Sequence, residues 1–271
     1  MTTQELIDQI RKKKSFLCIG LDVDMQKIPP HLLKTADPIF EFNKAIIDKT
    51  HSYAVAYKPN IAFYESIGAA GWNSLERTVK YIREHYPDIF LIADAKRGDI
   101  GNTATQYAKT FFETYPYDSV TVAPYMGADS VQPFLAFENK WAIVLGLTSN
   151  PGSQDFQMLS LADQSFLYEH VLKTVSSWGT SENTMFVIGA TRADQLQNVR
   201  NILPHHFLLI PGVGAQGGDV ATVCEHALTD DGGILINVSR GIIYASSQED
   251  FASKAQEAAK MYQQEMQQFI K

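Results

Sequence analysis

Residues 89–103, IFLIADAKRGDIGNT, join a short apolar run to a dense group of charged side chains. An apolar, β-branched run of this length is typical of a buried strand. Asp94 and Lys96 are two residues apart, so in a strand their side chains face the same side. Asp99 follows three residues later, just past the predicted strand. We therefore expect the end of this strand to bring two acids and a lysine into one small volume; a solvated surface loop is the alternative.

The composition of the chain is that of an ordinary globular protein, with 271 residues, 45% hydrophobic and 20% charged. The length fits two small domains or one large α/β domain. A formal net charge of −7 argues against a nucleic-acid partner. No apolar run approaches the ~20 residues of a membrane span, and the amino terminus lacks the apolar region of a signal peptide. We therefore expect no membrane partner. Cys18 and Cys224 lie far apart in the sequence, and we expect them to be free thiols in a cytoplasmic protein.

Short apolar runs alternate with helical patterns along the whole chain. Eight of these runs are predicted as strands, each followed by a helix: residues 16–21, 53–57, 89–93, 119–123, 142–147, 185–189, 207–210 and 234–238. Eight strand–helix pairs are the count of a single α/β domain, residues 1–271, folded as a (β/α)8 TIM barrel. A doubly wound open sheet could also hold eight strands. Thr2 and Glu5 have the spacing of a capping box, which predicts one more helix before the first strand.

Polar residues at the strand ends favour the barrel over the open sheet. They follow six of the predicted strands and are Asp22, Lys58, Asp94, Ser149, Gln216 and Arg240. A barrel gathers the carboxyl ends of its strands around one mouth, where barrel active sites lie. Acids alternating with lysines there would be fixed charges, suited to electrostatic stress on an anionic group and to proton delivery from a lysine. The alternative is an ion-pair network that only stabilises the mouth.

Residues 212–217, GVGAQG, match the pattern G-x-G-x-x-G between a strand and a helix. One interpretation is a dinucleotide site, in which Arg240 would suit the 2′-phosphate of NADP. That motif normally follows the first strand of its unit, whereas here it follows the seventh predicted strand, which six others precede. A barrel commonly binds phosphate with the loops after its seventh and eighth strands, using glycine amides and a residue such as Arg240. We therefore predict a small phosphorylated ligand, and NADP is the alternative.

The remaining polar motifs carry less chemistry. Ser149 lies in a TSNPG turn with no histidine placed to activate it, so we expect it to bond a ligand or cap the turn. His205 and His206 precede the seventh strand, at the end of the barrel away from the mouth, and are predicted as surface loop. No spacing of metal ligands is present, so no tight transition-metal site is expected.

Five motifs of the chain are YKPN (57–60), DAKRGDIGNT (94–103), TSNPGS (148–153), PGVGAQGGD (211–219) and SRG (239–241). Taken together, they resemble the orotidine 5′-phosphate decarboxylase family, and their wording is similar to its longer bacterial subfamily (type 2). The resemblance covers nearly the whole chain. It implies a cofactor-free, metal-free lyase that releases CO2 from orotidine 5′-phosphate to give UMP in pyrimidine synthesis.

This resemblance also implies roles for individual residues. The catalytic residues would be Lys58, Asp94, Lys96 and Asp99, and the substrate-binding residues would be Asp22, Thr103, Ser149, Pro211, Gln216 and Arg240. Lys96 would protonate C6 of the pyrimidine, and Asp94 would face the substrate carboxylate. Asp99 and Thr103 would reach into the site of a partner subunit, which implies a homodimer.

The nucleotide would be held along its length by residues from several loops. Asp22 and Lys58 would bond ribose hydroxyls, and Ser149 would bond the pyrimidine edge. Gln216 would lie between base and phosphate, and Arg240 would bind the phosphate. The close alternative is a metal-dependent relative that decarboxylates a keto-sugar phosphate or is similar to hexulose-phosphate synthase. Such relatives have an acid where this chain has Lys58. A lysine at this position argues against a bound cation there.

Overall fold

Eight parallel strands pair in the order in which they occur along the chain. The computed structural model describes residues 1–189, 193–213 and 219–270, with only the backbone described at 193 and 194. The strands are β1 (Leu17–Gly20), β2 (Ala56–Lys58), β3 (Phe90–Arg97), β4 (Ser119–Val122), β5 (Trp141–Leu147), β6 (Thr184–Ile188), β7 (Leu208–Pro211) and β8 (Ile234–Val238). β8 also pairs with β1, where Cys18 is opposite Asn237, and this pairing closes the sheet. The predicted (β/α)8 barrel is confirmed.

Helices surround this barrel in the described part of the chain. They are α1 (Thr3–Lys13), α2 (Pro38–Thr50), α3 (Ile61–Glu65), α4 (Ala69–His85), α5 (Gly101–Lys109), α6 (Gln132–Leu135), α7 (Leu167–Ser176), α8 (Ala193–Ile202), α9 (Val220–Ala227), α10 (Arg240–Ile243) and α11 (Phe251–Met266). The predicted capping box forms at α1, because Thr2 and Glu5 each accept a backbone N–H bond from the other. Within the described ranges no helix is long and apolar enough to cross a membrane.

The core consists of the barrel interior and the layer between strands and helices. Every residue of β1, β4 and β6 is buried, as expected for parallel strands that are covered on both faces. The predicted apolar faces of the helices point inward. On α2, for example, Phe42 is fully buried and stacks on Phe251 of α11, with ring centroids 5.1 Å apart. Burying one such side chain contributes about 1.5–3 kcal/mol, so the sum of these contacts fixes the barrel that carries the site.

The histidine pair before β7 differs in part from the prediction. His205 is exposed, as predicted, but the His206 ring is half-buried and packs against Phe186 with centroids 5.6 Å apart. Both ring nitrogens of His206 are buried and bond to no described residue. Burial, together with the guanidinium of Arg200, lowers the pKa of His206 to about 4. The predicted loop is therefore present, but the His206 ring packs inward against Phe186 and does not face solvent.

Candidate active site

β3 is longer than its apolar run predicts, because it continues through Arg97. Its pairing with β4 shifts register between Ala93 and Arg97, which is a bulge in the strand. Lys96 lies in this bulge with φ 47°, in the left-handed region that residues with a Cβ rarely adopt. Asp94 and Lys96 do face a common volume, as predicted, but the bulge and not a regular strand brings them together.

The Asp94 carboxylate lies between two ammonium groups. Its Oδ2 accepts a hydrogen bond from Lys58 Nζ at 2.7 Å, and its Oδ1 accepts one from Lys96 Nζ at 2.6 Å. The Lys58 and Asp94 side chains are 6% and 10% exposed, whereas that of Lys96 is 51% exposed. The three side chains therefore form one ion chain that runs from the buried floor of the mouth towards the open side.

The charges of this chain shift one another's pKa values. Burial by itself would raise the pKa of the Asp94 carboxyl, but the ammonium groups of Lys58 and Lys96 hold that pKa well below its usual range. Burial would lower the pKa of Lys58, but the charges of Asp94 and Asp22 raise it above its ordinary value. Asp94 is therefore anionic and Lys58 cationic at any physiological pH.

Asp22 follows β1 and faces the same floor. Its charge acts on Lys58, yet its buried Oδ1 atom accepts no hydrogen bond from any residue that the structure describes. A buried acceptor without a donor is costly, so such atoms in native proteins usually serve a ligand, an ion or water. Below it, burial raises the pKa of the Cys18 thiol to about 12, so this cysteine is an inert part of the floor.

Asp99 and Thr103 are not brought into the ion chain. Asp99 Oδ1 accepts the backbone N–H of the next residue, Ile100, at 2.7 Å. Thr103 is exposed on the first turn of α5. Neither forms a hydrogen bond or ion pair with Lys96 within the described ranges. In this chain the predicted tetrad is thus three linked charges and one acid directed elsewhere.

Ser149 lies in the loop after β5, where a neighbouring side chain fixes the backbone. The Gln157 amide accepts the Thr148 N–H at 2.8 Å and donates to the Thr148 hydroxyl at 2.9 Å. On the other side Gly189 follows the last residue of β6, and a Cβ at this position would come within 2.8 Å of Ser149 Cβ. This loop lines a cavity of about 390 Å³ that also includes Met158. Sequence reasoning missed Gln157, because nothing in the sequence indicates which loop residue folds back on the turn.

The predicted phosphate-binding residues lie at the ends of the last two strands. Pro211 is the final residue of β7 and is paired with Asn237 of β8. Arg240 begins α10, separated by one residue from the end of β8, and is exposed. These two residues are therefore on adjacent strand ends, as the barrel interpretation predicts. Gln216 lies outside the described residues, as does most of the glycine-rich run.

Thr121, on β4, is a second residue that sequence reasoning missed. Its Oγ1 accepts the backbone N–H of Lys96 at 2.8 Å and donates to Asp94 Oδ1 at 3.1 Å. In the run SVTV a threonine is an ordinary strand residue, so the sequence carries no signal that its hydroxyl reaches the ion chain.

Comparison with known proteins identifies the family of this chain. The model of the orotidine 5′-phosphate decarboxylase / HUMPS family matches residues 15–255, a span that includes every residue predicted for the site. The chain belongs to this family. The orotidine 5′-phosphate decarboxylase of Flavobacterium johnsoniae is 60% identical over 270 residues, which are 100% of this chain and 98% of the relative.

Solved structures of the family agree with the fold. Leishmania donovani OMP decarboxylase is 37% identical with a TM-score of 0.81, and the match covers 97% of this chain and 99% of that one. Leishmania donovani UMP synthase is 40% identical with a TM-score of 0.81 over 95% of this chain. The chain spans only 56% of the length of that synthase.

Proposed function

We propose that this chain is a carboxy-lyase that converts orotidine 5′-phosphate to UMP and CO2 in pyrimidine synthesis, without a cofactor and with Lys96 as the proton donor. The family match and the names of relatives that cover the whole chain support the reaction. The observation that carries the mechanism is the Asp94 carboxylate held between Lys58 and Lys96, with only Lys96 open to the mouth.

Fixed charges supply the catalysis in this proposal. The substrate carboxylate would face Asp94, and two like charges in a partly buried volume favour loss of one as neutral CO2. When the bond from C6 to the carboxylate carbon breaks, its electron pair remains on C6. The Lys96 ammonium stabilises that developing carbanion and then donates a proton to it. Lys58 keeps Asp94 ionised throughout, because its own pKa is raised.

Binding of the rest of the nucleotide would hold C6 beside Lys96. The unbonded Oδ1 of Asp22 can accept a ribose hydroxyl, and Ser149 can bond the pyrimidine edge. Arg240 can form charge-assisted hydrogen bonds with the phosphate. A phosphate that is bound far from the reacting carbon contributes binding energy that the chemical step can use. Gln216 stays a predicted contact between base and phosphate.

A second copy of the chain would complete the site with Asp99 and Thr103. Exposed apolar residues surround this region: Ile100 follows Asp99, and Tyr125 and Met126 follow β4, with Tyr125 89% exposed. The ends of β3 and β4 are adjacent, since the N–H of residue 123 donates to the carbonyl of residue 97 at 2.8 Å. Clustered exposed apolar side chains mark protein interfaces. We therefore propose a homodimer in which Asp99 and Thr103 enter the partner's mouth.

The domain organisation and the location of the protein are part of this proposal. Residues 1–271 would act as one catalytic domain, and the protein would work in the cytoplasm. Two unpaired buried cysteines, Cys18 and Cys224, fit a reducing compartment. The net charge of −7 argues against a nucleic-acid partner.

The test is UMP formation from orotidine 5′-phosphate by purified protein in excess EDTA, with no added nucleotide and with Lys96→Ala run in parallel. We expect rapid turnover by the wild type and none by folded Lys96→Ala. Wild-type turnover with an active Lys96→Ala variant would keep the reaction but remove the proton donor. An inactive wild type that instead acts on a keto-sugar phosphate when Mg2+ is added would overturn the reaction.

A further inference from the structure

The hydroxyl of Thr121 forms hydrogen bonds with both Lys96 and Asp94, and the proposed mechanism depends on the distance between these two residues. We propose that Thr121 is a positioning residue that holds the Lys96 ammonium at C6 of the substrate; this inference rests on the role proposed for Lys96. The hydroxyl accepts the Lys96 N–H and donates its own hydrogen to Asp94 Oδ1, the oxygen that also accepts Lys96 Nζ. These bonds form a closed ring that fixes both the backbone and the side chain of Lys96.

The register of the sheet explains why Thr121 occupies this place. Ala93 on β3 pairs with Val120 on β4, and Arg97 pairs with Val122. Three β3 residues therefore lie opposite the single β4 residue Thr121. The bulged residues cannot all bond to the backbone of β4, so at least one N–H needs another acceptor. The Thr121 side chain provides that acceptor for Lys96.

The conformation of Lys96 makes the ring necessary. A residue with a Cβ at φ 47° is strained and persists only where its surroundings hold it there. The side chain of Lys96 is half exposed, and Asp94 is its one ion-pair partner among the described residues. Without the bond to its backbone, Lys96 could relax to an extended conformation that turns its side chain away from Asp94.

Threonine is suited to this place for two reasons. Its hydroxyl can accept one hydrogen bond and donate another at the same time. Its branched Cβ restricts χ1, so the hydroxyl keeps one direction. Thr121 is 1% exposed, so no water competes for either bond. Valine has almost the same shape but neither bond, and serine keeps both bonds but loses the methyl group.

The experiment compares Thr121→Val, Thr121→Ala and Thr121→Ser with Thr184→Val. Thr184 is a matched control, since it is buried in a strand at the opposite end of the barrel and bonds the side chain of Asn183. We expect both hydroxyl-free variants to lose about 10–100-fold in kcat, because a proton donor displaced by about 1 Å costs this much, with KM within about threefold. Thr121→Ser should stay within about threefold of the wild type, as should Thr184→Val. Thr121→Ala serves if Thr121→Val does not fold.

A second measurement separates Lys96 from Asp94. Exchange of the C6 hydrogen of UMP in D2O requires the proton donor but no substrate carboxylate. If Thr121 positions Lys96, its hydroxyl-free variants lose the same factor in exchange and in decarboxylation. Unchanged exchange, or unchanged kcat, overturns the inference. A fully active Lys96→Ala variant would instead mean that the proposed proton donor has failed, whatever Thr121 does.

Discussion

Lys58 Nζ on β2 lies 2.7 Å from Asp94 Oδ2 on β3, and both side chains are almost completely buried. Removing one member of such a pair leaves an uncompensated buried charge. We expect Lys58→Met to lower the free energy of unfolding by about 3 kcal/mol and to abolish turnover. Lys80→Met, which removes the exposed pair with Glu76, should leave the melting temperature unchanged. Equal stability of the two variants in urea unfolding would contradict this account of the pair.

Arg240 should strengthen the binding of a nucleotide through its phosphate and should not affect the binding of the nucleoside alone. We expect Arg240→Ala to weaken UMP binding by about 10–100-fold, the value of a charged hydrogen bond, while uridine binding changes little. The control is Arg11→Ala. Arg11 lies on α1 and forms an exposed ion pair with Asp231. Isothermal titration with both ligands measures the difference. Equal losses for UMP and uridine would place the phosphate elsewhere.

In each active site, Lys96 should come from one subunit and Asp99 from the other. We expect Lys96→Ala and Asp99→Ala each to be inactive alone. When the two are mixed, partly unfolded and refolded together, about a quarter of wild-type activity should return. Random pairing makes half of the dimers hybrids, and each hybrid has one intact site. A mixture without activity would show that both residues act within one chain.

His206 should make stability depend on pH in mildly acidic solution. Its pKa is about 4 in the folded protein and about 6.5 when unfolded, so between these values the unfolded state binds more protons. Stability contributed by neutral His206 is therefore complete above pH 6.5 and decreases as pH falls towards 4. The loss should be roughly 1–2 kcal/mol, because partial exposure reduces the effect.

Urea unfolding at several pH values measures this slope. His206→Gln should flatten it between pH 6.5 and 4, and His205→Gln, at the exposed neighbour, should not. A slope that survives His206→Gln would assign the pH dependence to other groups. Asp94 does not contribute in this range, since its pKa is lowered well below it.

The sequence was sufficient to predict the barrel and to indicate which polar side chains lie near its mouth. Alternating apolar runs and helical patterns predict all eight strands, and polar residues after those runs predict the mouth. The parts that it could not predict depend on contacts between strands. The bulge that contains Lys96 follows from the pairing of β3 with β4, and the role of Thr121 follows from the bulge. His206 was misjudged because a polar pair next to a strand gives no sign of which ring turns inward.

The contact between Gly189 and Ser149 limits how the specificity of this barrel could be redesigned. A Cβ at position 189 would meet Ser149 Cβ at 2.8 Å and its backbone nitrogen at 2.9 Å, so the loop after β5 rests directly on the end of β6. A larger residue at 189 would push that loop and could not widen the cavity. An engineer who wants a bulkier base to enter would have to rebuild other residues of the loop and keep Gln157, whose amide holds the turn at Thr148.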